Sequence, residues 1–353
     1  MNNNEIFKPM KYKYFIGIDI SKNKLDFAVV KDNKVLLQEI ALNEPKAILA
    51  YLETLKARLS IKPSTTLFCM ERTGIYGNHL IAMLWKRKFK FVVEHPLHIK
   101  NSMGLVRGKD DKIDALRIAK FAQKNCEEIR LWVPQRLEMG RLKSLVSLRN
   151  KLMGIRLSLK MPIADVVTFM PKLIKDQAIQ ACEKSLEALS DDLSKVELKI
   201  KQELTEDSRF NRLLEILTSI PSVGIVMAVQ FITATNEFKD ITRPRQFACY
   251  AGVAPFRFES GKIIKKLKVS HQANKKVKSL LHMCAIGSLR VDKELKAYFD
   301  RKKKEGKPGM LIVNAIRNKI IVRAFACVNQ DRLYIAREQK DDEDENCLMI
   351  SNP

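Results

Sequence analysis

Four carboxylates in the early part of the chain stand where their neighbours are apolar or helix-forming. Asp19 closes the run Phe15-Ile-Gly-Ile, Glu71 follows the run Thr65 to Met70, and Asp111 and Asp114 fall one turn apart in the helical stretch Asp111 to Gln123. Carboxylates gathered in one place repel each other unless a divalent cation compensates them. Hard oxygen donors select magnesium, with manganese as the alternative. Two such ions can clamp the attacking and leaving oxygens of a phosphodiester. Asp26 and Asp110 compete for the same role. Ser260, before Gly261, is the second candidate, but no His or Asp lies beside it to take its proton. By its own neighbours it reads as a turn residue in the loop Pro255 to Gly261, with His271 and His282 downstream as groups that could approach it.

Other familiar patterns fail. Gly104 to Lys109 resembles a phosphate loop but is one residue short and runs into Asp110 instead of Ser or Thr. His95 and His98 are too few for a metal site. No nucleophile elbow or dinucleotide fingerprint occurs, so ATP use is not indicated.

The elements that must position the acids follow from apolar patterning. Phe15 to Ile18, Leu25 to Val30 and Val35 to Ile40 read as three strands, with Gly17 interrupting the first and Ser21 to Lys24 turning into the second. Asn43 is placed to cap a helix from Pro45 to Leu59. Thr65 to Met70 is a fourth strand, Gly74 and Gly77 permit a turn into a helix through Leu84 and Trp85, and Phe89 to Val93 is a fifth strand. That order, in an α/β domain, is the order of a ribonuclease H-like sheet. It brings Asp19, Glu71, Asp111 and Asp114 to one edge.

From Arg136 to Phe210 the chain is polar and helical, with interruptions expected at Gly140, Gly154, Pro162 and Pro171. Leu186, Leu189, Leu193, Val196 and Ile200 alternate spacings of three and four, the seam of a short coiled coil that either packs on its own chain or, the favoured reading, faces a partner helix. Leu213 to Leu217, Ile220 to Gly224 and Val226 to Ile232 read as helix, hairpin, helix. The N–H groups of the second helix, beginning at Gly224, are placed to hold a phosphate as readily as to turn a corner. Met310 to Val328 reads as a buried amphipathic helix broken by Arg317, Lys319 and Arg323.

Charge narrows the class of partner. The chain has 353 residues, enough for two or three domains, a net charge of +24 and a pI near 9.7. Such an excess disfavours the compact state unless it meets a polyanion. Arg243, Arg245, Lys262, Lys265, Lys266, Lys268, Lys275 and Lys276 crowd around Ser260, and phosphate contacts there would weaken steeply as salt rises. No long apolar run suggests a membrane, and no signal pattern precedes the first strand. Seven scattered cysteines form no CxxC pair, which suits a reducing cytoplasm.

Phe15-Ile-Gly-Ile-Asp19-Ile-Ser21-Lys22, Met70-Glu71-Arg-Thr-Gly74 and Lys109-Asp-Asp111-Lys-Ile-Asp114-Ala115 resemble the DEDD transposases of the insertion sequence 110 family, relatives of the Piv DNA invertases. The later stretches Leu217-Thr-Ser-Ile-Pro221-Ser-Val-Gly224, Tyr250-Ala-Gly252-Val-Ala-Pro255 and Glu259-Ser260-Gly261 resemble the same family, so nearly the whole chain is covered. One departure is Ser222, where the family's hairpin usually carries glycine. The resemblance implies a RuvC-like DEDD domain over 11–130, after a flexible arm at 1–10. A helical coiled-coil linker would cover 131–210 and a mainly helical transposase domain with a helix-hairpin-helix-like element 211–335. A disordered acidic tail would cover 336–353. It further implies Asp19, Glu71, Asp111 and Asp114 as magnesium ligands and Ser260 as a nucleophile forming a covalent phosphoserine. The implied partners are donor and target DNA, a structured bridge RNA, and further copies of the chain, a dimer assembling to a tetramer. The competing readings are a metal-dependent nuclease or junction resolvase cutting by water attack, a site-specific invertase, and a non-enzymatic nucleic-acid-binding protein.

Overall fold

The computed structural model describes residues 12–102, 111–169, 171–260, 263–270 and 272–336. The arm at 1–10, the basic loop 104–109 with Asp110, Lys262, His271 and the acidic run from Glu338 lie outside them. The chain divides into two compact units, Met1–Pro134 and Gln135–Pro353.

The first unit is built on five strands: β1 (Tyr14–Ile20), β2 (Lys24–Lys31), β3 (Lys34–Leu42), β4 (Thr66–Glu71) and β5 (Lys90–Glu94). Their order across the sheet is β3-β2-β1-β4-β5. The first three are antiparallel, while β4 and β5 run parallel to β1. Asp32 and Asn33 both take left-handed backbone, as a tight hairpin between β2 and β3 requires. The parallel pairs need crossovers, supplied by α1 (Pro45–Leu59) and α2 (Asn78–Lys86). Alternation along each strand sends Ile16, Ile18, Phe27, Phe68 and Phe91 into one core with Ile48, Leu52, Leu80 and Leu84 of those helices. The opposite face sends Phe15, Leu67, Cys69 and Val92 against Ile118, Phe121 and Ala122 of α4 (Asp111–Lys124), which follows the short α3 (Pro96–Ser102). A ribonuclease H-like sheet is therefore present, with α4 as the cover over its second face.

Gly17 explains how close that cover lies. A Cβ there would overlap the carbonyl oxygen of Ala115 and the amide nitrogen of Ala119. Small residues thus meet on both sides, glycine in the strand and two alanines one turn apart on the helix. The interruption seen in sequence is the seat of α4.

In the second unit α5 (Leu137–Phe169) and α6 (Lys172–Glu206) are long helices. Gly140, Gly154 and Pro162, expected as interruptions, all lie within α5; only Pro171 falls between helices, as the N-cap of α6. The coiled-coil seam also differs from expectation. Val196 and Ile200 are buried with Met139, Leu142 and Val146 in the core of this same unit, so that end of the seam packs on its own chain. The core continues through α7 (Ser208–Thr218), α8 (Ile225–Thr235), α9 (Pro244–Tyr250), α10 (Lys275–Val291), α11 (Lys293–Lys304) and α12 (Gly309–Asn329). Arg136 ties the start of α5 to the rest: it forms two hydrogen bonds with Asp207, at 2.8 and 3.2 Å, and one with buried Glu237 at 2.9 Å.

Candidate active site and nucleic-acid surfaces

The sheet register sets acids in a row. Ile18 of β1 is level with Met70 of β4, so Asp19 and Glu71, one residue further along, end neighbouring parallel strands at the same height. Asp26 of β2 is directly across from Asp19, and Glu94 of β5 is level with Glu71. By strand alternation all four belong to the face that α4 covers, and Asp114 comes from α4 itself. Like charges on adjacent strands destabilise a sheet. Their mutual effect is visible at Glu71: burial, then the charges of Asp19 and Asp114, push its carboxyl above the usual carboxylate range.

Each flanking acid has a compensating partner. Asp26, only 2% exposed, pairs one oxygen with Lys24 Nζ at 3.1 Å and leaves the other, buried, without a hydrogen bond. Glu94 accepts from the amide of His95 at 2.7 Å and lies 3.3 Å from His98 Nδ1. Asp114 accepts from Arg117 Nη1 at 2.5 Å. Asp26 is legible in the sequence as a competitor of the site acids, whereas Glu94 is not. Cross-strand register, which a single strand's pattern does not carry, puts both beside them.

Asn43 has a different task from the one expected. The residue preceding α1 is Glu44, and the Asn43 side chain makes no cap. Its amide instead donates to the carbonyls of Ser21 and Tyr76, both at 2.9 Å, tying the turn after β1 to the loop after β4. Those are the segments that follow Asp19 and Glu71.

The donor set suits a hard divalent cation: carboxylate oxygens whose mutual repulsion is felt at Glu71, with a buried orphan oxygen on Asp26 next to them. Asp111 opens α4 one turn before Asp114, and its side chain lies outside the described residues. Among the described residues no three His, Cys, Asp or Glu side chains form a ready-made metal cage.

In the second unit Ser260 ends a strand, where a loop was expected. It is the last residue of β6 (Pro255–Ser260), paired with Ile263 at the start of β7 (Ile263–Val269). The stretch before β6 is bolted down. Gly252 has φ of +64°, and a Cβ there would come within 2.5 Å of Ala273 Cβ, so this motif position demands glycine. Asn274 caps α10, donates to the Tyr250 hydroxyl at 2.7 Å and donates its backbone N–H to the Tyr250 carbonyl at 2.8 Å. Asn314 of α12 reaches the Val253 carbonyl at 2.9 Å.

The expected phosphate-binding residues are spread over this unit. Gly224 is the exposed N-cap of α8, Arg243 and Arg245 are exposed at the start of α9, and Lys275 and Lys276 are exposed on the first turn of α10. Lys265, Lys266 and Lys268 lie on β7, with side chains outside the described residues. Lys276 also lines a cleft of about 610 Å³ with Lys143, Lys151 and Tyr250, and no local pattern in the sequence marks Lys143 or Lys151. His282 does not stand as a free base. Its Nδ1 is 2.6 Å from Arg317 Nη2, and burial together with that guanidinium pushes its pKa below the ordinary histidine value.

A ribonuclease H-like sheet thus carries acids side by side at its strand ends, and a helical unit with exposed cations follows it in the chain. Residues 16–171 match the transposase family DEDD_Tnp_IS110, and residues 214–300 match the family described as "Transposase IS116/IS110/IS902 family". The chain belongs to the IS110 family of transposases and is a DNA-cleaving recombination enzyme. It is 25% identical over 331 residues to the pilin gene-inverting protein of Moraxella bovis, covering 92% of this chain and 98% of that protein. It is 27% identical over 132 residues to a 42 kDa protein of insertion element IS900 from Mycobacterium paratuberculosis, covering 37% of this chain and 33% of that one. A solved structure of Thermus thermophilus RuvC aligns with 34% of the chain and 99% of its own length at 11% identity and a TM-score of 0.27; the fold assignment rests on the strand order instead. No helix among the described residues is long and apolar enough to cross a membrane.

Proposed function

We propose that this protein mobilises an insertion sequence by cleaving and exchanging DNA strands, using the acids Asp19, Glu71, Asp111 and Asp114 and the nucleophile Ser260. The observation that carries the acid half is the register of β1 and β4, which ends the two strands level with Asp19 beside Glu71 on the face covered by α4 and its Asp114. These residues would hold magnesium, or manganese, which would neutralise charge on the scissile phosphate and stabilise the leaving oxygen. The Ser260 hydroxyl loses its proton, its oxygen bonds to phosphorus, and the bond from phosphorus to the leaving deoxyribose oxygen breaks. That oxygen takes up a proton, and a phosphoserine ester remains. Attack by the hydroxyl of a partner strand reverses the step and joins new ends. Anchoring of Tyr250 to Pro255 by Asn274 and Asn314 supports the serine assignment, because a nucleophile needs a fixed approach.

Exposed cations at Arg243, Arg245, Lys275 and Lys276 suit nucleic-acid backbones. In this reading choice of sequence falls to a structured bridge RNA pairing with donor and target DNA, and the reaction takes place between copies of the chain. Site-specific inversion is the second reading, favoured by the likeness to the pilin gene-inverting protein over 92% of the chain. Recombination in cells tests the acids: Asp19→Ala, Glu71→Ala and Asp114→Ala should each abolish it, whereas full activity in all three would point to a structural role. Sequencing the RNA that copurifies with the protein, expressed beside its flanking non-coding DNA, tests the guide.

A further inference from the structure

The chain's two tryptophans, Trp85 and Trp132, stand together at the edge of the first unit. After α4 the chain returns along β5, where the Trp132 backbone N–H donates to the Phe91 carbonyl at 2.8 Å. The Trp132 ring stacks on Phe91 at 5.0 Å and 23°, and Trp85 meets Trp132 edge-on at 5.6 Å and 72°. Beside them opens a cavity of about 660 Å³, walled by these rings with Phe89 and Leu131. Trp85 is 51% exposed, a large apolar ring left in water. The aromatic wall belongs to the sheet face away from the carboxylate row, since Phe91 lies in the core of the first face.

Three lysines border the same cavity: Lys86, Lys88 and Lys90. All are exposed, and among the described residues none of them is ion-paired, whereas the neighbouring Arg87 is held by Glu53 at 2.5 Å. An apolar peptide would account for the rings but leave three ammonium groups uncompensated. A ligand with both planar apolar faces and regularly spaced negative charge accounts for both. We propose that this pocket takes unpaired nucleobases of a single-stranded nucleic acid, stacked against Trp85 with the flanking phosphates on Lys86, Lys88 and Lys90. Duplex DNA keeps its base faces inside the stack, so the site discriminates against it.

Both tryptophans lie in the pocket, so tryptophan fluorescence of the full chain, excited selectively over its seven tyrosines, reports on this site. Titration with oligothymidylate, oligouridylate and a duplex of equal length should give saturable quenching by single strands and little by duplex. The stronger of the two single-stranded arms identifies DNA or RNA as the natural source. Trp85→Ala should weaken single-strand binding roughly fivefold to a hundredfold, with Trp85→Phe retaining most of it. Lys86→Glu with Lys88→Glu should lower the salt slope for single strands by about 1.4. Binding of single strands without any change in tryptophan emission overturns the proposal, as does equal quenching by duplex. Unchanged affinity in Trp85→Ala, with thermal unfolding like the wild type, overturns it as well. The proposal rests on a nucleic-acid partner but not on Ser260: loss of quenching leaves phosphoserine formation untouched, and loss of phosphoserine leaves quenching untouched.

Discussion

Gly17 and Ala115 are pressed backbone to backbone: α4 passes so low over β1 that a Cβ on Gly17 would overlap the Ala115 carbonyl oxygen. The same contact sets the height of Asp114 over Asp19 and Glu71, because Asp114 adjoins Ala115 and Asp19 is two residues beyond Gly17. Gly17→Ala should therefore lift α4. We expect a loss of about 3 kcal/mol in stability from overpacking and a fall of roughly a hundredfold in strand cleavage from misplacing Asp114 by about 1 Å. Denaturant unfolding and a cleavage assay measure the two effects separately.

Repulsion along the carboxylate row predicts a metal-linked stability. Without divalent cation, Glu71→Gln should stabilise the protein by up to about 1 kcal/mol by removing one of the opposed charges, while abolishing cleavage. Magnesium should raise the melting temperature of the wild type and raise it less in Asp19→Asn or Glu71→Gln. A melting temperature indifferent to magnesium and manganese would contradict a metal role for these acids.

His282 predicts a pH dependence with a definite sign. Its folded pKa lies below the unfolded value of about 6.5, through burial and the Arg317 guanidinium. The unfolded state therefore binds this proton more readily, and the contribution to stability is present above that value and lost as pH falls through the folded pKa. Thermal unfolding from pH 7.5 to pH 5 should show the decline, and His282→Gln should flatten it.

Ser222 takes left-handed backbone at φ +71°, and its hydroxyl is buried without a partner. Both features favour glycine at this turn before α8. Ser222→Gly should stabilise the protein by about 1 kcal/mol, read as a higher denaturant midpoint.

Much of the first unit is legible in sequence because buried strands write themselves as apolar runs, and Asp19 and Glu71 are conspicuous as the charges that end them. What is not legible is register. The placing of Asp26 opposite Asp19 and Glu94 beside Glu71 depends on how strands slide past one another. Gly17 carried a signal in the pairing of a strand glycine with Ala115 and Ala119, yet it takes the packed helix to read it. In the second unit the local breakers do not set the helix ends: Gly140, Gly154 and Pro162 sit inside α5, and the two glycines do so on exposed positions. Ser260, followed by Gly261 and Lys262, reads as loop, but cross-strand pairing with Ile263 makes it the end of a strand. Asn43 carries cap chemistry and spends it on two loops instead.

The central claim, that a serine in the second unit opens the phosphodiester, is tested most directly by trapping protein on DNA. Incubation with a cognate DNA substrate and magnesium, denaturation, and mass spectrometry of the nucleotide-bearing peptide should place the adduct on Ser260. The adduct should vanish in Ser260→Ala and also in Glu71→Gln. Magnesium-dependent nicking that persists in Ser260→Ala, with no protein bound to either DNA end, would contradict the account and identify a nuclease that cuts by water attack.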